Sequence, residues 1–138
     1  MPDHTPLSFA KIQAAMKAMT DKATQTPDQV VAIAIADSTG NLLAYAQTGN
    51  LRLFSRRHAI RKAYTAAVMA TDTGTNGKKL KEQGRNISEM GDLQLTGNQG
   101  GLVIQRDGVV LGGIGVGGYD GGHLDEALAQ VGLAVCLG

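Results

Sequence analysis

Residues 109–132 read VVLGGIGVGGYDGGHLDEALAQVG. Within them, Gly113-Ile114-Gly115-Val116-Gly117-Gly118 matches G-x-G-x-x-G, the dinucleotide fingerprint. That fingerprint needs a strand before it, a helix directly after it, a second parallel strand, and an acid about 20 residues further on. Only 20 residues follow Gly118 here, so no second parallel strand is expected, and the stretch reads as part of an antiparallel hairpin. No NAD or FAD site is expected here. A local account fits better. Ile114 and Val116 keep the alternation of a strand, which puts Gly113, Gly115 and Gly117 on one nearly flat face. Strand glycines mark a bulge or the close approach of another backbone or a ligand. A helix resting on this face is the commoner arrangement, and a flat ligand is the other. Gly117–Gly122 then forms a loop of uncovered amides entering a helix, which suits an anion.

Upstream, Gly101–Gln105 and Val109–Val116 flank Arg106-Asp107-Gly108, a hairpin signal with Asp-Gly at the turn. Gln29–Asp37 (QVVAIAIAD) alternates β-branched residues with alanine, and the alanine face predicts close packing by another element. Ser38-Thr39-Gly40-Asn41 is turn chemistry, and Leu42–Gln47 returns as a second strand. Ser8 is the expected N-cap of a first helix. Its apolar face runs Phe9, Ile12, Met16, Met19 and Ala23, and Pro27 stops it. Ser55 is the expected cap of a second helix running to about Thr71, with small residues at Ala59, Ala63, Ala66, Ala67 and Ala70. Asp72–Thr96 is expected to be loop around a short helix near Lys78–Gln83, a long connection of the functional or mobile kind. The last helix is expected over Leu124–Leu137. Its buried face would be Leu124, Ala127, Leu128, Val131 and Val135, and Asp125 and Glu126 would be first-turn acids. The order α-β-β-α-(α)-β-β-α predicts an α+β fold: an antiparallel sheet flanked by helices, one domain over residues 1–138.

Glycine is about twice as common as usual, with 19 in 138 residues. Aromatic residues are 4% and tryptophan is absent, so stacking platforms for single-stranded nucleic acid are poorly supplied. The net charge is +1, but unevenly spread. From Arg52 to Arg85 nine Lys/Arg face only Asp72 and Glu82, leaving +7 there and −6 in the flanks. A basic centre in a near-neutral chain points to an anionic small ligand, not nucleic acid; a solvated helix face is the plainer alternative. The single Cys136 excludes an internal disulfide. MPDHTPLSFAKIQ lacks the pattern of a signal peptide, and no apolar run is long enough to span a bilayer. A soluble cytoplasmic protein without membrane contact is expected. The small-residue helix at Ala59–Ala70 and the apolar last helix predict a homo-oligomer.

Four segments taken together resemble the GlcG/HbpS family (domain of unknown function 336), which includes haem-binding HbpS-like and PduO C-terminal-domain-like proteins. They are IAIADSTGNLLAYAQTG, AIRKAYTAA, GGLVIQRDGVVLGGIGVGG and DEALAQVGLA, in the family's order and covering most of residues 29–135. The resemblance implies a profilin-like α-β-α sandwich with a five-stranded sheet, homo-oligomers and, in some members, tetrapyrrole or iron binding. The pattern shows four clear strands; Gln47–Leu53 or Leu93–Gln99 would supply the fifth.

The candidate site residues follow from chemistry. Arg57 and Arg61, and His58 and Lys62, lie four apart and form two adjacent stripes of a basic helix face. His58 can ligate haem iron while the cations pair with propionates. A Lys62 buried among alanines would be a candidate base or imine-forming amine. His123 is a second candidate ligand, or an acid/base. Gly117 and Gly118 offer amides. Surface cations and an ordinary loop histidine are the plain alternatives. The first functional reading is a binding protein for haem or another anionic tetrapyrrole. The second is an isomerase or lyase for an organic acid, with Lys62 or His58 moving the proton. The third is a non-catalytic oligomeric accessory protein.

Overall fold

The computed structural model describes residues 5–138; His4, which plays no part in the sequence reading, lies outside them. The elements run α1 (Phe9–Ala23), β1 (Ala32–Asp37), β2 (Leu42–Gln47), α2 (Leu53–Met69), α3 (Thr73–Glu82), a 3-10 turn (Ile87–Met90), β3 (Gly101–Arg106), β4 (Val109–Gly117) and α4 (Gly122–Leu137). The four strands form one antiparallel sheet in the order β2-β1-β4-β3. Helices α1 and α4 cover one face and α2 the other, giving the α+β sandwich expected.

Each strand carries two different faces, and the residue sizes explain why. Ile33 and Ile35 of β1 pack with Ile114 and Val116 of β4 and Leu102 and Ile104 of β3, under Ile12 and Met19 of α1 and Leu128 of α4. On the reverse, Ala32, Ala34 and Ala36 meet Ala59 and Ala63 of α2. The glycines of β4 complete that small-residue face. A Cβ at Gly113 would overlap the Ala63 carbonyl, one at Gly115 the Ala59 carbonyl, and one at Gly117 would sit 2.6 Å from the Ser55 oxygen. The flat glycine face is therefore the seat of a helix. Its partner hairpin turns at Asp107 and Gly108, both at positive φ (54° and 78°), as a two-residue type I′ turn requires.

Several local expectations need correction. Helix α2 begins at Leu53 with Arg52 as a cap that makes no side-chain hydrogen bond. Ser55 lies inside the helix, buried, because it faces the sheet beside Gly117. Helix α3 is longer than read. Buried Thr73 and Leu80 anchor it, and Asp72 accepts from the Val103 amide at 3.0 Å. Gly77 lets α3 touch the backbone of Gly97. Neither 47–53 nor 93–99 forms a fifth strand among the described residues. Phe9 is 74% exposed, and the buried stripe of α1 is Ile12, Ala15, Met19 and Ala23. Helix α4 is rotated from the expected face. Its buried residues are Asp125, Leu128, Ala129, Gly132 and Cys136, while Leu124 and Ala127 are exposed. Met19 of α1 lies over Gly132, and of the expected face Leu128 is buried while Val131 and Val135 are partly buried against the core. Cys136 is buried, and burial pushes its thiol above the usual range. No helix among the described residues is long and apolar enough to cross a membrane.

Candidate functional site

Because α2 lies close on the glycine face, its residues beyond the alanine stripe reach the end of β4 and the segment before β3. His58 and Lys62 fall on the buried side and Arg57 is exposed. The Lys62 ammonium donates to the Val116 carbonyl at 2.8 Å and to Asp125 Oδ2 at 3.1 Å. Asp125 Oδ1 accepts from the Tyr119 amide at 3.1 Å. Lys62 and Asp125 are each only 4% exposed. Burial raises the Asp125 pKa, and the ammonium and the Tyr119 amide pull it back. Gly100, at φ +128°, leaves room for the pair; a Cβ there would lie 2.8 Å from Lys62 Nζ.

His58 is also buried. Its Nε2 lies 3.0 Å from Thr96 Oγ1 and 2.7 Å from Asn98 Nδ2. The amide nitrogen of Asn98 can only donate, so Nε2 is the lone-pair nitrogen of a neutral ring. The ring stacks on Phe54 with centroids 4.6 Å apart. Burial first, then the charges of Lys62 and Arg61, lower its pKa to about 4.

His58 and Phe54 stand between two clefts and line both. One, of about 550 Å³, is walled by Leu53, Phe54, Ile60 and Leu93 and edged by Arg57 and Arg61. The other, of about 390 Å³, is polar. It is lined by Arg52, Ser55, Lys62, Asn98, Gln99, Gly117, Gly118, Tyr119, Gly122 and Asp125 besides the two rings. The fold thus divides the basic face of α2: Arg57 and Arg61 go to the apolar cleft, and Lys62 joins Gly117 and Gly118 in the polar one. His123 is exposed on the first turn of α4 and lines neither. No group of three or more His, Cys, Asp or Glu that could hold a metal ion occurs among the described residues.

A family model described as "Haem degrading protein HbpS-like" matches residues 7–134. The chain belongs to the HbpS-like family. No curated protein matches it. Among solved structures, this HbpS-like chain is similar to a double mutant of Streptomyces reticuli HbpS, with a TM-score of 0.84 and 27% identity over 98% of this chain and 90% of that one. It is also similar to PduOC in a complex with haem, with a TM-score of 0.84 and 25% identity over 95% of each chain. The Klebsiella pneumoniae protein ORFY, of the DUF336 family, shares the fold at 22% identity, with a TM-score of 0.83 over 98% of this chain and 94% of that one.

Sequence reading missed several residues of these two clefts in the HbpS-like chain. Asp125 passed as a helix-dipole acid. The available signal was its spacing, since it falls on the same stripe as Ala129, Gly132 and Cys136. Phe54, Thr96 and Asn98 carry no sequence signal of their own; they matter because His58 folds against them.

The depressed pKa of His58 predicts acid sensitivity. The folded ring titrates near 4 and an unfolded histidine near 6.5. Protonation then favours the unfolded state as pH falls from about 6.5 to 4, at a cost of about 2–3 kcal/mol. Urea midpoints at pH 7 and pH 4 check this. His58→Gln should lose that share of the acid destabilisation, while the share due to carboxylates such as Asp37 and Asp92, whose pKa values are lowered, remains.

Proposed function

We propose that this chain binds haem or another anionic tetrapyrrole in the apolar cleft. The observation that carries this reading is the combination of walls and rim. Leu53, Phe54, Ile60 and Leu93 offer flat apolar surface, and two arginines edge it. A macrocycle with carboxylates at one side needs that pairing of apolar walls and cations. Leu93 is 91% exposed and Phe54 61%, a large apolar area on an open surface of the kind that marks binding. Arg61 donates through Nη2 to the Leu95 carbonyl at 2.9 Å, while its Nε is buried with no partner, a donor the chain itself leaves open. The family description and the haem complex of PduOC support the same ligand.

The residues fit the group in separate ways. Arg57 and Arg61 would hold the carboxylates, and the aliphatic and aromatic walls would cover the macrocycle and exclude water. His58 is the described histidine at the cleft, and its neutral ring has the form an iron ligand needs. To serve, it would exchange the Thr96 and Asn98 hydrogen bonds for the metal. Haem, when bound, would supply iron–porphyrin chemistry.

A visible-absorption titration with haemin tests the proposal. Saturable binding with a shifted Soret band is expected, weakened about tenfold or more by Arg57→Glu, roughly 1.4 kcal/mol. His58→Ala should move the band if His58 is the ligand, and His123→Ala should not. A linear, unsaturable response would overturn the haem reading.

A further inference from the structure

We propose that the polar cleft is a second ligand site, one that seats a compact oxyanion such as a small carboxylate on the Lys62 ammonium and Arg52. The site does not depend on the tetrapyrrole reading, because His58 and Phe54 separate its space from the apolar cleft.

The argument begins with the buried ion pair. Lys62 and Asp125, both 4% exposed, line the cleft from its floor. A buried ion pair adds little stability over an apolar pair of the same volume. This one is nevertheless built from two distant elements, with a positive-φ glycine at position 100 left small to accommodate it. An ammonium has three donors. Val116 O and Asp125 Oδ2 take two, and the third is available to the cleft. Asp125 is engaged through both oxygens, by Lys62 and by the Tyr119 amide, so its carboxylate is already committed within the chain.

Charge and shape narrow the ligand. Arg52 and Lys62 against Asp125 leave the cleft net positive. No side chain caps the N-terminal end of α4, and Gly122, its first residue, lines the cleft, so the positive end of a 16-residue helix adds to the field. Asn98 and Gln99 complete the polar lining, with their side-chain amide nitrogens directed to His58 and Glu126. Such a lining rewards several hydrogen bonds to one compact, negatively charged group. It offers little apolar surface beyond Phe54 and His58, which disfavours a macrocycle.

The test is a nitrogen-15 backbone NMR titration of the whole chain with acetate and, separately, inorganic phosphate, against chloride at equal ionic strength. Saturable shifts are expected at Gly117, Gly118, Gly122 and Asp125 with acetate or phosphate and not with chloride. Arg52→Gln, an exposed change, should weaken them at least threefold, and Lys17→Ala on α1 should not. The double variant Lys62→Met, Asp125→Leu removes both buried charges together and should abolish the shifts. Absence of saturable shifts with both anions would overturn the proposal. So would shifts indifferent to Arg52→Gln, or shifts lost in parallel with haemin binding on Arg57→Glu, which would place the anion in the apolar cleft. A failure of haemin to bind leaves the shifts at the polar cleft as expected, so the two readings fail separately.

Discussion

Gly115→Ala is expected to destabilise the protein by about 3 kcal/mol or more, at the upper end of what overpacking costs. One added methyl would overlap the Ala59 carbonyl and lie 2.5 Å from the Ala63 amide nitrogen. Both are backbone atoms of a helix held by its own hydrogen bonds, so no side chain can swing aside. The helix must lift from the sheet or β4 must bend, and either opens the alanine contacts of β1 as well. In a domain of this size the loss corresponds to a fall in Tm of about 10 °C. Gly84→Asn is the control. Gly84 has φ +68° and nothing within 4 Å of a Cβ, so only backbone strain is at stake, about 1 kcal/mol or less for asparagine. Thermal melts of the two variants decide the matter; equal losses would mean that α2 does not rest on the glycine face.

The second large effect is at the buried pair. Lys62→Met is expected to cost about 3–5 kcal/mol, because it strands the Asp125 carboxylate at 4% exposure. Burial already raises the Asp125 pKa, and the ammonium is one of the groups opposing that rise. Without it the folded-state pKa climbs further above the unfolded value. A carboxyl raised in this direction stabilises the fold when protonated and loses that contribution as pH rises through the folded pKa. The deficit of Lys62→Met should therefore be greatest at neutral and alkaline pH and shrink on acidification. The double variant Lys62→Met, Asp125→Leu should recover most of the loss, since neither charge is left alone. Chemical denaturation across pH measures both; a deficit independent of pH would mean that lost packing by the lysine stem, not the stranded charge, is responsible.

Much of the architecture is written in residue size and spacing. The Asp107-Gly108 turn, the alternation of Ile33 and Ile35 with alanines, and the shared face of Gly113, Gly115 and Gly117 are local patterns. They dictate the hairpins and a helix in close contact, because the pleat alternates side chains and leaves no freedom over which face is flat. The basic centre is legible as well, since nine cations within 34 residues leave a strong field in any fold. The long polar segment after α2 reads poorly, since glycine is a weak helix former and the helical run through Gly74 and Gly77 is set by their contacts with Gln99 and Gly97. The face of α4 is legible only in part: Leu128, Val131 and Val135 pack against the core as their spacing suggests, but the close approach of Met19 to Gly132 turns Leu124 and Ala127 outward.

What the chain order cannot specify is which distant groups meet. Lys62 and Asp125 are 63 residues apart, and nothing local to either one names the other as its partner. Their pairing arises when α2 and α4, packed on opposite faces of the sheet, reach the same end of β4. The same placement sets His58 against Thr96 and Asn98 and divides one basic helix face into two clefts of different chemistry. Local periodicity determines the elements and the faces they bury; their meeting at one end of β4, a property of the packed whole, determines which side chains come together.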